Sequence, residues 1–262
     1  MKKIILAILV FWSSAFVNQN RVVEENAYQA GEWFKFRIHY GIFNASYATL
    51  QLKNENLNGK EVFHVIGKGQ TTGLADLFFK VDDNYESYFD KNSGQPYKFI
   101  RKINEGGHTK DLEINFDYNK NKAVLKDHKH DTEEIFQINK GVQDLISAFY
   151  FLRDRVDRKT VKEGEEFVSD MLFDDDGLFK FKLKYLGKQT LNTKFGKVRC
   201  LKFRPYVQSG RIFKEEESLT LWVSDDENKM PIRVKADILV GSIKADLEAF
   251  KGLKHQFKIQ MD

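Results

Sequence analysis

Histidines, a cysteine, clustered carboxylates and glycine-rich turns are the groups with which this chain could do chemistry. Six histidines occur, at positions 39, 64, 108, 128, 130 and 255. None has the H-E-x-x-H spacing that sets two imidazoles on one helix face around zinc. His128 and His130, in LKDHKHDTEE, are two residues apart with Asp127, Asp131 and Glu133 beside them, so on a strand both rings would share a side. They are the best metal candidate in the chain. So polar a stretch nevertheless reads as a solvated turn, and no metal is assigned to it.

The run Asp174-Asp175-Asp176-Gly177 suggests calcium, but a calcium loop needs oxygens at alternate positions and a distant bidentate carboxylate. Leu178, Phe179 and Phe181 follow at once, and a hairpin turn between FVSDMLF and LFKFKLKYL accounts better for the run. Asp82-Asp83 and Asp225-Asp226 read as turn formers for the same reason. The single cysteine, Cys200, excludes an internal disulfide. In KVRCLKFRPY it shares one side of a strand with Val198, while Arg199, Leu201 and Phe203 take the other; this is a packed thiol with no activating histidine nearby. There is no G-x-S-x-G elbow, and Gly67-Lys68-Gly69 and Gly106-Gly107 lack the strand-to-helix setting of a phosphate loop. The expectation is a non-enzyme, with no catalytic residue, metal ligand or cofactor.

What the chain must build is a β structure. Of its 262 residues 42% are hydrophobic and 14% aromatic, with 23 Phe, 10 Tyr and only 3 Pro, which is the composition of a chain that folds around a core. Lys and Arg (42) nearly balance Asp and Glu (38), and the charges alternate along the chain. That argues against a nucleic-acid partner, which needs a concentrated basic face. Period-two alternation dominates after residue 30, as in GEWFKFRIHYG, and Asn58-Gly59 supplies a tight hairpin turn within ATLQLKNENLNGKEVFHVIGKGQ. The fold class expected is all-β and mainly antiparallel: two curled sheets or a large open barrel, with one central amphipathic helix.

That helix lies in NKGVQDLISAFYFLRDRV, where Val142, Leu145, Ile146, Phe149 and Leu152 make an apolar stripe expected to be buried. Gln143, Asp144, Ser147 and Asp154 lie mostly off the stripe. Gln143, Asp144, Ser147 and Arg153 could line a pocket mouth and Tyr150 could reach a sheet backbone group, but Asp144 near the start and Arg153 near the end suit the helix dipole, and that structural role is preferred. Around Leu74 to Phe79, TTGLADLFFKV is expected to form a short helical or bent connection. ESYFDKNSGQPYKF and LTLWVSDDENKMPIRV repeat one pattern, an apolar run, an acidic turn, a proline and a second run. They read as equivalent turns in two β halves.

At the N-terminus, Lys2 and Lys3 precede the apolar run Ile4 to Trp12, and Ser13-Ser14-Ala15 offers a cleavage site. The run is short of the roughly 20 residues needed to cross a bilayer. Residues 1–15 are therefore expected to be a cleaved signal peptide; an uncleaved anchor is the alternative, because Phe16 and Val17 extend the run. The organisation expected beyond it is a β half over 25–138, the helix and linker over 139–158, and a second β half over 159–262, which together could be one continuous domain. The mature protein is expected to be exported to the periplasm or cell envelope without spanning the membrane.

GEWFKFRIHYGIFNASYATL, FFKVDDNYESYFDKNSGQPYKFIRKINEGG, QDLISAFYFLR, FGKVRCLKFRP and LWVSDDENKMPIRVKADILVGSIKADL together resemble, in this order, an exported bacterial family called domain of unknown function 3108. The resemblance spans roughly Glu25 to Phe250 and implies an envelope protein of Gram-negative bacteria; it implies no reaction. Leu221-Trp222-Val223-Ser224-Asp225, followed by Met230-Pro231-Ile232, is also similar to a strand-turn-strand segment of periplasmic lipoprotein carriers, whose open half-barrels curl around acyl chains. The 23 Phe could line such a cavity. The first expectation is thus a binding or carrier protein for a hydrophobic small molecule, lipid or acyl chain. The alternative is an envelope assembly factor that binds a protein partner through exposed β edges.

Overall fold

The computed structural model describes residues 26–41, 43–73, 80–206, 218–238 and 240–259. The expected signal peptide over 1–15 and the bent connection at Leu74 to Phe79 lie outside the described residues. The strands of the first stretch are β1 (Trp33–Tyr40), β2 (Phe43–Leu57), β3 (Lys60–Thr71), β4 (Asp82–Asp90), β5 (Pro96–Glu105), β6 (His108–Asp117), β7 (Lys122–Asp127) and β8 (Thr132–Gln137). Helix α1 (Leu145–Arg155) follows. Then come β9 (Glu166–Met171), β10 (Phe179–Thr193), β11 (Gly196–Tyr206), β12 (Leu219–Ser224), β13 (Pro231–Asp237) and β14 (Ser242–Lys251).

All fourteen strands belong to one antiparallel sheet in the order β8-β7-β6-β5-β4-β3-β2-β1-β14-β13-β12-β11-β10-β9. The chain starts at the middle, walks outward to β8, crosses through α1 to the far edge at β9, and walks back until β14 pairs with β1. The all-β antiparallel class with one helix is therefore what forms. Its β stretches are two parts of one sheet, which stays open between β8 and β9 instead of closing as a barrel. One short contact blunts the β9 edge: Gln143 N donates to Asp170 O at 2.8 Å, and Leu172 N donates to Gln143 O at 2.9 Å.

Local sequence accounts for the strands. In β6, Leu112, Ile114 and Phe116 are buried at every second position, as the pleat requires. At the β2–β3 turn, Asn58 and Gly59 both take positive φ (52° and 84°), the mirror-image turn whose twist suits a two-residue hairpin. The core divides into a large cluster in which Ile146 and Tyr150 of α1 meet Leu52, Val65, Phe89, Phe99 and Ile114, and two smaller clusters in the β9–β14 part.

Helix α1 turns a different face inward from the one its apolar residues suggest. Its buried residues are Ile146, Ser147, Ala148, Tyr150 and Arg153. Of the expected stripe, Ile146 and the preceding Val142 are buried and Phe149 and Leu152 are half-buried, but Leu145 is 42% exposed. Ile146, Tyr150 and Arg153 follow the i, i+4, i+7 spacing of a core stripe. An arginine holds the third place because the sheet supplies its partners. Ile146→Asp is accordingly expected to bury an unpaired carboxylate and abolish the urea unfolding transition of the native state. Leu145→Asp should stay within about 1 kcal/mol of the parent protein, since an acid in the first helical turn is favoured there.

The repeated hairpin phrase also finds its reason. The β4–β5 and β12–β13 turns both reach α1: Gly94 (φ 71°) comes under Phe151, 3.4 Å from where a β-carbon would stand, and Asn228 O accepts from Arg153. Pro96 and Pro231 open β5 and β13, where a missing N–H is tolerated.

Candidate functional site

The site is organised around polar groups that α1 carries into the interior. Asp144 caps the helix; its Oδ1 accepts from Ile146 N at 2.8 Å and Ser147 N at 2.7 Å, and Ser147 Oγ accepts in return from Asp144 N at 2.9 Å. The other carboxyl oxygen accepts from Ser87 Oγ of β4 at 2.6 Å, which pins the start of the helix to the sheet. Burial pushes the Asp144 carboxyl up to about 6, against the opposing pull of these hydrogen bonds.

At the other end, Arg153 forms a two-pronged ion pair with Glu32, Nη1 to Oε1 at 2.6 Å and Nη2 to Oε2 at 2.8 Å. Its Nε and Nη2 also donate to Asn228 O at 3.0 and 2.8 Å. Glu32 is fully buried and Arg153 is 3% exposed, with the guanidinium 5.2 to 5.7 Å from the ring centres of Tyr28, Phe34, Phe149 and Tyr150. The helix-dipole role expected for Asp144 is met by the cap. Arg153, in contrast, is a buried tie between the helix, the segment before β1 and the β12–β13 turn.

Beside this tie lies an apolar groove of about 90 Å³, open on one side. Phe149, Leu152 and Val156 of the helix region form one wall, and Phe181, Leu183, Phe203, Leu221 and Val223 of β10, β11 and β12 form the other. Period-two alternation puts these strand residues on one face, and the free side of α1 overhangs them. Lys229 stands at the end of the groove and also borders an adjoining polar hollow with Asp154, Arg155, Asp157, Arg158 and Glu227. The acids of that hollow have partners. Asp154 accepts from Ala27 N at 2.8 Å, Asp157 from Lys159 N at 2.9 Å, and Glu227 from Arg158 Nε at 3.1 Å. Burial pulls the Lys229 ammonium below the usual lysine range, although Asp154 acts to raise it. The result is an apolar slot that meets a polar hollow at Lys229, geometry that suits a molecule with a hydrocarbon body and an anionic head.

The groups singled out in the sequence lie elsewhere. Asp127 to Thr132 is the β7–β8 turn and not a strand, so His128 and His130 do not share a strand face; Asp127 holds His130 Nδ1 at 2.6 Å and caps the turn through Lys129 N at 2.8 Å. Asp174 pairs with Arg101 and Lys110, and Asp175 also pairs with Lys110, so both carboxylates already have cations. Asp225 and Asp226 do form a turn; Asp226 Oδ1 accepts from Ser224 Oγ at 2.7 Å and Asn228 N at 3.0 Å. Asp82 and Asp83 instead open strand β4, where Asp83 accepts from Asn104 N at 3.1 Å. Cys200 is fully buried beside Val198 and Trp222, and burial pushes its thiol up to about 12, as a packed thiol requires. Gln143, Asp144, Ser147 and Arg153 are all buried, and of the four Arg153 borders the groove. Lys229 and the groove walls carry no local motif; only the alternating Phe181, Leu183 and Tyr185 hinted at them.

A match over residues 35–248 to the proteins of unknown function DUF3108 decides the family. The chain belongs to the DUF3108 family. No curated protein matches it. Among solved structures, it is similar to a β-barrel-like protein of the DUF1849 domain from Brucella abortus, at a TM-score of 0.57 and 11% identity, over 85% of this chain and 98% of that one. A DUF1089 family protein from Pseudomonas aeruginosa aligns at a TM-score of 0.37 and 10% identity, covering 71% of this chain and 87% of that one. At such identity the likeness to the Brucella abortus protein concerns fold alone.

Proposed function

We propose that this DUF3108 protein is a non-catalytic, exported binding protein for an amphipathic ligand, a single acyl chain carrying an anionic head group. The observation that carries the reading is the groove between α1 and β10–β12, apolar along its length and ending at Lys229. The groove is open along one side, so a chain would lie in a slot whose walls are side chains of a sheet and a helix, both rigid elements. Export rests on the basic, apolar and small-residue order of residues 1–15. Among the described residues no helix is long and apolar enough to cross a membrane.

The assembly-factor reading needs an edge strand open to a partner. Gln143 already bonds to the β9 edge, and β8 is six residues long and carries Glu133 and Glu134, which disfavour edge pairing.

Displacement of a fluorescent fatty acid tests the proposal. The protein should bind a carboxylate-headed C16 probe, and Leu152→Trp, which fills the slot from the helix side, should abolish binding with no change in thermal unfolding. Lys229→Met should weaken the carboxylate probe about tenfold while leaving the matching fatty alcohol unaffected, about 1.4 kcal/mol for the lost charge contact. Equal binding by parent protein and Leu152→Trp would overturn the groove as the site.

A further inference from the structure

At the end of the sheet where β1 gives way to β2, two hairpin tips lie side by side, because Tyr40 of β1 pairs with Ile243 of β14. Among the described residues nine large apolar side chains are exposed, and four of them, Tyr40, Phe43, Val240 and Ile243, belong to these tips. Phe43 is 71% and Val240 73% exposed, so neither contributes to a core. Fully exposed apolar side chains gathered at one point mark an interaction surface. The tips are also locked together: Tyr40 Oη donates to Val240 O at 3.0 Å, and the Tyr40 ring lies over Gly241 (φ 80°), 3.0 Å from where a β-carbon would stand. No larger residue fits at Gly241 without moving the ring, so the two hairpins present one preformed apolar point.

The opposite face of the same sheet end, to which Lys244 turns as the neighbour of Ile243 in the alternation, is basic. Lys244 and Lys235 are register partners on β14 and β13, Arg204 faces Lys184 across β11 and β10, and Tyr206 faces Lys182. Antiparallel partners and alternate residues share a face, which brings Lys202 into the same set through its pairing with Trp222, itself opposite Arg233. Asp246, Asp237 and Glu166 answer part of this charge: Asp246 bonds to His39 and Arg233, Asp237 to Lys235 at 2.8 Å, and Glu166 lies 3.5 Å from Lys182. Among the described residues cations still outnumber acids on this face. Lys182 lies over the Tyr206 ring at 4.1 Å, a cation–π contact that holds the ammonium at this face.

We infer that this tip and face dock onto an anionic bilayer surface, with Phe43 and Val240 entering the acyl boundary and the lysines lying against phosphate head groups. An apolar point alone would equally suit a second copy of the chain. The basic residues on the other face of the same end argue for the bilayer, because tips that enter end-on bring both faces against head groups, whereas two copies packed through Tyr40, Phe43 and Ile243 would leave the lysines without an anionic partner. The inference does not depend on the groove, which lies between α1 and β10–β12.

Flotation of the full protein with vesicles tests it. Binding is expected to vesicles with 30% phosphatidylglycerol, to fall more than tenfold with pure phosphatidylcholine, and to fall with 0.5 M salt as screening predicts. Phe43→Asp and Val240→Asp should each reduce binding at least tenfold with unchanged thermal unfolding, while Lys235→Glu with Lys244→Glu should weaken only the anionic vesicles. Leu152→Trp should leave flotation unchanged, which separates this inference from the groove. Equal flotation by the parent protein and Phe43→Asp would overturn it. So would light scattering that shows a dimer in the absence of vesicles that Phe43→Asp dissociates, since the tip would then be a contact between copies.

Discussion

Arg153→Met is expected to destabilise the protein by about 3–5 kcal/mol, the range for removing one partner of a buried ion pair. Glu32 is fully buried, so loss of the guanidinium leaves a carboxylate with neither water nor a cation, and frees Asn228 O as well. A domain of this kind is stable by about 5–15 kcal/mol, so the loss is a large fraction of the total and should appear as a markedly lower urea midpoint. Arg153→Lys should not rescue it. A single ammonium cannot span both Glu32 oxygens and Asn228 O as the planar guanidinium does. The double variant Arg153→Met with Glu32→Leu should recover most of the loss, because removing both charges removes the unpaired one. Urea midpoints of the two singles and the double close the cycle. If Arg153→Met unfolds within 1 kcal/mol of the parent, the ion pair is not the tie described here.

The second large effect depends on pH. Asp144 has a carboxyl pushed up to about 6 in the folded protein from an ordinary 3.8. The sign follows from which state holds the proton. Between pH 4 and 6 the folded chain binds it more tightly than the unfolded chain, so stability falls as pH rises through that window and is level above it. Two units correspond to about 3 kcal/mol. In Asp144→Asn the amide oxygen can still accept from Ile146 N and Ser147 N while the NH₂ donates to Ser87 Oγ, so the cap survives and the charge goes. The difference in stability between parent and Asp144→Asn should therefore shrink or reverse from pH 7.5 to pH 4.5, with the variant the more stable at pH 7.5. Asp144→Ala also removes the titrating carboxyl, so its difference from the parent should shift with pH as that of Asp144→Asn does, displaced toward lower stability by about 1–2 kcal/mol for the lost cap. A parent-to-Asn difference that does not move with pH would show that the hydrogen bonds, not burial, set this carboxyl.

Strand after strand was legible because alternation is a local property: Leu112, Ile114 and Phe116 announce a buried face wherever they stand in the chain. Asn58-Gly59 announces its turn through backbone sterics alone. The helix was legible as a helix, but its buried face was not. Apolar periodicity assumes that polar residues face water, whereas Ser87, Glu32 and Asn228, from sequence positions 57, 121 and 75 residues away from their partners, make the interior of this site polar. The histidine and aspartate clusters attracted attention because they are contiguous. Contiguity is what turns use, and turns are what most of them form.

What the amino-acid order settled unaided is therefore the all-β antiparallel class with one helix, the packed Cys200 and the family. Only the tertiary structure decided that the two β stretches are one open sheet with β1 against β14 as its seam, and that the two similar hairpins meet the same helix. It alone set Lys229 at the end of an apolar groove. Periodicity and turn chemistry act over a few residues, and one strand holds all the information they need. Which strands neighbour each other, and what they enclose, depends on contacts between residues far apart in the chain, which no local pattern encodes.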